Sequence, residues 1–425
     1  MSVSCTNSGS MLVTVIVLLI LSLVGNQFGA NLSTRTATND YGLPSCPGTS
    51  SLANITPSPV FERDHTLFFR YDSVLWRSTN DGNTWDAVFN APEPVGRVRF
   101  LSMVSLPNSP ALTLYLSYSY STGRFPPLST IARSTDGGDT WINRTACDPN
   151  CSGADATNQP DTVFATRIED PLVTQFGKGI LRSDDGALTW QVLRDDVNVW
   201  RVFVSPAFAD DQIVFAGAWA WTDPPPASWL IVTRDGGSSW EYADVGLNSS
   251  RIEELMFSPG FANDHTIFAY QHDTLFNSVD AGRHWQPIYF VSGDYFLDLA
   301  LSPDYAEDHI IFLSKNDALL ISYDDGLNWH ILVGGGGGHF LYQVVVTRNQ
   351  STPPRQMSGT VTPFYAMPSS PSHHLYLPLA GAIGISYRPL TLFLSMTPIG
   401  EYTHYFRSDD GGLTWRCLAL PPVDD

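Results

Sequence analysis

Lysine is almost missing from this 425-residue chain: Lys178 and Lys315 are the only two. Charged residues make up 15% of the sequence, and 23 Lys+Arg stand against 42 Asp+Glu, a formal net charge of −19. Binding to a phosphate backbone rests on many cationic contacts, so nucleic acid is excluded as a partner. Cysteine is scarce as well, with five residues. Cys147 and Cys151 stand in ACDPNCSG with no matching His/Cys pair nearby, and His373–His374 is an isolated pair. No metal site and no cofactor are expected from such spacing. GGGGG at 334–338 precedes no helix start, so it reads as a linker or loop and not a phosphate cradle. Helical periodicity is absent after residue 30, which excludes a helical solenoid.

Long apolar runs are also lacking, with one exception. Residues 11–24, MLVTVIVLLILSLV, match a signal-peptide core in length and fall short of the ~20 residues of a membrane span. The preceding ten residues hold no Lys or Arg, and Phe28 stands where a small residue is expected before a cut near Ala30. The readings are a cleaved signal or an uncleaved anchor, with a core helix as the third. The first two place the remainder outside the cytoplasm, with a membrane tether through 11–24 in the second. The expected organisation is 1–30 signal or anchor, 31–50 linker and 51–425 folded domain. Cysteine usage fits that placement: Cys147–Cys151 would close a small loop, and Cys46–Cys417 would join the two ends of the folded region. Free thiols are the alternative.

What is abundant is aromatic residues, 12% with 12 Trp, and they recur in a frame. The copies are RSTNDGNTW (77–85), RSTDGGDTW (133–141), RSDDGALTW (182–190), VTRDGGSSW (232–240), NSVDAGRHW (277–285), ISYDDGLNW (321–329) and RSDDGGLTW (407–415). Their tryptophans are spaced by 56, 49, 50, 45, 44 and 86 residues. A second element, SPxF, precedes most copies, as in SPVFERDHTLFF (58–69), SPAFADDQIVFA (205–216) and SPGFANDHTIFA (258–269). Each such unit carries four short β-prone runs, which is one propeller blade. The fold class is therefore all-β, a single propeller of seven four-stranded blades, with eight as the alternative because of the long last gap.

A catalytic group is needed once per site, so a motif copied seven times is a building rule. The carboxylates and amide of the frame (Asn80, Asp136, Asp185, Asp235, Asp280, Asp324 and Asp410) are assigned to holding turns, where an Asx side chain accepts backbone N–H groups and glycine supplies unusual backbone angles. The tryptophan covers apolar surface between strands. His65, His265 and His309 follow an Asp at the same point of the SPxF element and are read as turn residues.

The frame S-x-D-x-G-x-T-W in a β-rich chain resembles the Asp-box (BNR) repeat, over about residues 51–420. Relatives with that repeat include sialidases, xyloglucan-degrading hydrolases, sortilin-type receptors and photosystem II assembly factors, so the resemblance implies a fold and leaves function open. It implies that the box joins the third and fourth strands of a blade, that the SPxF turn lies on the same face, and that any ligand site lies on the opposite face. There the irregular loops offer Tyr118, Tyr120, Arg124 and Phe125 in blade 2; Trp219, Trp221, Asp223 and Trp229 in blade 4; and Tyr387, Arg388, Glu401 and Tyr402 in blade 7. Residues leading into innermost strands add Arg97, Arg99, Trp200, Arg201, Arg251, Glu253, Glu254, Asp294 and Tyr295. These point to a non-catalytic binding or scaffold protein facing a glycan or protein partner, with a monomer as the favoured state. The alternative is a glycoside hydrolase of sialidase-like or xyloglucanase-like type, with Tyr295 beside Glu253 or Glu254, arginines 97, 251 and 388, or acids among Asp223, Asp294 and Asp298. No FRIP-like arginine motif precedes the first box, which departs from the sialidase pattern.

Overall fold

The computed structural model describes residues 43–49, 53–92, 97–105, 111–120, 128–144, 151–159, 161–167, 177–219, 230–248, 250–334, 339–349, 355–356, 386–387, 390–398 and 402–422. The apolar run at 11–24 and the Cys147 half of the small-loop disulfide lie outside them. Among the described residues no helix is long and apolar enough to cross a membrane.

The described strands form seven antiparallel blades in chain order, four-stranded apart from the last, whose sheet has five. Blade 1 is built from Asn54–Pro57, Leu67–Tyr71, Val74–Ser78 and Asp86–Asn90. Blades 2, 5 and 6 repeat the pattern as separate sheets. Blades 3 and 4 share a strand: Gln191–Val204 runs from the outer edge of one to the inner edge of the next, joining seven strands in one sheet. The 86-residue gap holds no eighth blade among the described residues. His339–Arg348 pairs directly with Leu390–Pro398, so residues 350–389 interrupt blade 7 between its first and second strands.

The ring is closed by both ends of the folded chain. Gly48–Thr49 and Arg416–Cys417 both pair with the strand Thr403–Ser408 of blade 7, and Cys46 is bonded to Cys417. The folded unit thus begins at Cys46 and not at 51, and part of the expected linker is an edge strand.

Apolar residues sit between blades and hold neighbours together. Ile55, Leu67 and Phe69 of blade 1 meet Phe393 and Tyr405 of blade 7; Phe215, Leu230 and Val232 of blade 4 meet Ile267, Phe276 and Trp285 of blade 5. Each buried ring of this kind contributes roughly 2 to 3 kcal/mol by area removed from water. The box tryptophans belong to these seams. Trp285 donates its indole N–H to Ala243 O of the preceding blade at 3.0 Å, and Trp85 does the same to Ala419 O across the ring closure at 2.8 Å. Their cover lies between blades as well as between strands, because the box places the ring on the flank that faces the blade before.

The arginine that opens several boxes works in the other direction. Arg77 donates to Gly137 O of the next blade (2.9 Å), Arg182 to Gly236 O (2.7 Å), and Arg407 to Asp81 O of blade 1 (2.8 Å). Arg234, two positions later in its frame, reaches Ala281 O at 3.0 Å. Arg182 also lies over Phe164 and Phe208, and Arg407 over Phe393. A planar guanidinium suits this position because it stacks on an aromatic face and still presents donors at its rim.

Candidate functional site

The two faces of the ring differ in how much of their chemistry is already engaged. On one face lie the boxes and the SPxF turns. Every SPxF turn with full sequence is a four-residue helical turn, Phe61–Asp64, Phe208–Asp211, Phe261–Asp264 and Tyr305–Asp308. Each ends in a left-handed residue, His65, Gln212, His265 or His309. The carbonyl of that residue accepts an N–H from the box of the same blade, for example Ala281 to His265 at 3.0 Å. Turn and box therefore share a face.

Within a box the side chains satisfy one another. Ser408 Oγ donates to Asp410 Oδ1 (2.8 Å) and accepts the N–H of Gly412 (2.8 Å). Asp410 Oδ1 accepts the N–H of Thr414 at 2.9 Å, and Oδ2 accepts its hydroxyl at 2.6 Å. Asp136, Asp185, Asp235, Asp280 and Asp324 make the same contacts, with Ser239, His284 or Asn328 in place of the threonine in three copies. Asn80 accepts the N–H of Thr84 at 2.9 Å in the first. Gly412 is at φ +94°, and a Cβ there would stand 2.7 Å from Leu332 of the preceding blade, so backbone angle and packing both require glycine.

These contacts favour the ionised carboxylate. The hydroxyl of Thr189 and then its N–H hold Asp185 down to about 2, and Ser239 acts likewise on Asp235. At Asp136 and Asp280 partial burial pushes upward but is outweighed by the hydrogen bonds, and both also sit at about 2. A carboxylate depressed in the folded state contributes stability that is present above its ordinary pKa near 4 and is lost as pH falls toward 2. Tryptophan fluorescence should therefore show thermal stability little changed from about pH 6 to about pH 4 through these groups, then falling steeply between about 4 and 2. A flat profile down to about pH 2 would show that the box carboxylates contribute nothing to the fold.

The opposite face is lopsided. The second and third strands are joined by two-residue turns in blades 1, 5 and 6, at residues 72–73, 272–273 and 316–317. In blades 2, 3 and 4, which are neighbours, the same connection spans 121–127, 168–176 and 220–229. The blade 3 connection, IEDPLVTQF, escapes sequence reading because no aromatic cluster marks it.

The sequence candidates fall into three groups. Tyr118 is not presented to solvent at all: it is 2% exposed, lies 5.0 Å from Phe89 and donates to Asn143 Oδ1 at 3.0 Å, so it is a core residue. Tyr387 precedes Leu390–Pro398, the second strand of blade 7, and so belongs at the box end of that blade and not on the opposite face. The true second-to-third connection of blade 7 is 399–402, where Tyr402 is exposed. Arg124, Phe125, Trp221, Asp223, Trp229, Arg388 and Glu401 lie outside the described residues. Tyr120, Trp219 and Tyr387, like Arg97 and Arg99, are placed only as strand positions.

The third group forms a rim on the face opposite the boxes, over blades 4 to 6. Arg251 lies over the Trp200 ring at 5.6 Å, and its Nε donates to Glu253 Oε1 at 3.1 Å. Tyr295 stacks at a tilt on His272, 5.6 Å between centroids. Asp294 accepts from Lys315 Nζ at 3.0 Å and from Asn316 Nδ2 at 2.6 Å, while Lys315 also contacts Asp317. Burial pushes the Asp294 carboxyl up but the Lys315 and backbone hydrogen bonds outweigh it, and it titrates below the ordinary range. Deeper, Arg201 is ion-paired with Glu254. Tyr295 and the two glutamates do not form a free nucleophile and base, because Glu253 and Glu254 are each engaged by an arginine. Among the described residues no three His, Cys, Asp or Glu side chains converge to hold a metal ion.

No protein-family model matches the chain, and no curated protein sequence matches it. Solved structures are similar in fold. A GH74 enzyme of Niastella koreensis superposes with TM-score 0.53 at 14% identity, over 90% of this chain and 75% of that one. The GH74 xyloglucanase of Xanthomonas campestris gives TM-score 0.52 at 13% identity, over 90% and 70%. YCF48 bound to D1 peptide gives TM-score 0.48 at 18% identity, over 71% and 93%. Sheet order, ring closure and the two GH74 superpositions agree on one architecture, and the chain is a seven-bladed β-propeller.

Proposed function

We propose that this chain is an extracytoplasmic binding or scaffold propeller that presents the face opposite its boxes to a glycan or protein partner, without catalysis. The observation that carries this reading is the run of long connections on adjacent blades 2, 3 and 4 beside two-residue turns on blades 1, 5 and 6. Insertions gathered on one side of an otherwise regular ring are where a scaffold carries function. Their composition suits contact: AWTDPPPASW at 220–229 combines prolines, which lose little entropy on binding, with two tryptophans, the residue type most enriched at binding hot spots. The Cys46–Cys417 bond suits an oxidising compartment.

A glycosidase needs two carboxyl groups free to face the bond. Asp294, Asp298, Glu253 and Glu254 are instead held by Lys315, backbone N–H groups, Arg251 and Arg201. Replacing 220–229 with an Asn-Gly turn, the two-residue form that closes hairpins, tests the reading. Wild-type protein should give a signal on a glycan array or with a protein partner, and the trimmed variant should lose it at unchanged melting temperature. Turnover of a fluorogenic sialoside or of xyloglucan by the wild type would overturn the non-catalytic reading.

A further inference from the structure

The innermost strand of each blade has an edge facing the channel, and an unpaired edge must be satisfied. In this ring the preceding blade supplies the partner. Ser102 Oγ accepts the N–H of Ala156 at 2.9 Å, Asp155 Oδ2 that of Val204 at 3.2 Å, and Asp298 Oδ2 that of Val344 at 2.8 Å. Trp200 Nε1 donates to Ile252 O at 3.1 Å. Gln343 accepts the N–H of Ile55 at 2.9 Å and donates to its carbonyl at 3.0 Å, closing blade 7 onto blade 1. Two of these five edge caps are carboxyl groups, and Glu254 stands on blade 5 between them.

The charges around these carboxyls do not balance. Among the described residues Arg201 is the one cation of the group, and it is ion-paired with Glu254. Asp298 meets the repulsion of Glu254, the attraction of Arg201 and the N–H groups of Val344 and Leu299. Asp155 meets Arg201, Ser102 and the N–H groups of Val204 and Ala156. The Tyr270 hydroxyl beside them donates to Leu297 O at 3.0 Å. Asp294, Lys315 and Asp317 pair among themselves at the rim. With all three carboxyls ionised, the described residues of the wall would set three negative charges against one positive.

We propose that the channel wall is a proton-operated clasp: protons on Asp298, and with it Asp155 and Glu254, tighten the junctions of blades 3 to 7, and their loss on moving from mildly acidic to alkaline medium loosens them. The N–H groups of Val344 and Leu299 favour the ionised form of Asp298, and what opposes ionisation is the burial of the charge and its repulsion from Glu254. Burial, the largest cause, pushes Asp298 up to about 7, and it also raises Asp155 and Glu254. A carboxyl whose folded pKa is raised contributes stability that is complete below its ordinary pKa near 4 and is lost as pH rises through the folded value. The window is thus opposite in sign to that of the boxes, and stability should peak between the two.

The experiment is a melting series from about pH 5.5 to about pH 8 on the full protein, with Asp298→Asn and Glu254→Gln beside it. One proton whose pKa moves from near 4 to about 7 changes the folding equilibrium by up to about thirtyfold across that range. The wild type should lose several degrees toward alkaline pH, and D298N should flatten the decline. E254Q removes the repelling charge and frees Arg201, so it should shift the remaining decline to lower pH and shrink it. A wild-type profile without decline, or D298N with the wild-type slope, overturns the proposal. Should D298N fail to fold, amide exchange at Val344 in the wild type decides: after correction for intrinsic rates, protection must be higher at the acidic end, and equal protection overturns it.

Discussion

The Cys46→Ser/Cys417→Ser double variant is expected to lose about 4 to 5 kcal/mol of stability, the largest effect of any change outside the core. The bond joins residues 371 apart. In the chain-entropy account, closing a loop of that length restricts the unfolded chain by about 6 kcal/mol, and measured effects fall somewhat below such values. Its position adds to the expectation. The two strands it joins are two residues long each, Gly48–Thr49 and Arg416–Cys417, and both lean on Thr403–Ser408. Two-residue pairings are too short to persist alone, so the ring end frays when the staple is cut. Beneath it lies the seam where Ala53 N–H meets the Tyr405 hydroxyl at 2.8 Å and Leu418 packs with Phe69 and Tyr405. Denaturant unfolding of the double variant, which leaves no stray thiol at either position, measures the loss. A difference below about 1 kcal/mol would mean that the seam holds without its covalent link.

Much of this ring is legible in the sequence because one unit is written seven times. The frame around Asp410 and Trp415 gives blade count, the boxes' face and the structural role of their carboxylates, since repetition separates building residues from unique ones. What escapes is whatever depends on the neighbouring blade. Arg407 reads as a charge beside a turn, yet its function is to reach a carbonyl on blade 1, more than 300 positions away in the chain. Tyr118 reads as a loop aromatic because it stands in a run of alternating Ser and Tyr. The pleat turns it inward against Phe89, on the buried face shared with blade 1. Blade 7 misleads for another reason. The long segment before Leu390 displaces the strand signals, so Tyr387 is assigned to the wrong end of the blade, and only the pairing of Arg348 with Leu390 restores the register. The rim over blades 4 to 6 is legible as residues but not as partners: Lys315 closing on Asp294 joins positions 21 apart, a relation no local pattern contains.

Arg407→Ala should cost about 3 kcal/mol, against about 1 kcal/mol for Arg182→Ala, although the two arginines occupy the same position in their boxes. Both donate to a carbonyl of the next blade and both lie on an aromatic ring. The difference is burial. The Arg407 side chain is 9% exposed and that of Arg182 21%, and the carboxylate beside Arg182, Asp184, is 56% exposed where Asp409 is 38%. Removing Arg182 leaves Asp184, which water can reach. Removing Arg407 takes the donor from the Asp81 carbonyl and leaves the less exposed Asp409 carboxylate held only by Thr391 at 3.3 Å and Arg416 at 3.2 Å. Arg407 also serves the same junction as the disulfide, so the two should not be independent. In the serine double variant the junction of blades 7 and 1 is already prone to open, and an arginine that acts only while it is closed has less to contribute. The cost of Arg407→Ala should therefore shrink by about 1 kcal/mol or more in that background, while Arg182→Ala, two blades from the seam, should cost the same in both. Equal costs for Arg407→Ala with and without the staple would show that the ring opens as one unit and not from its ends.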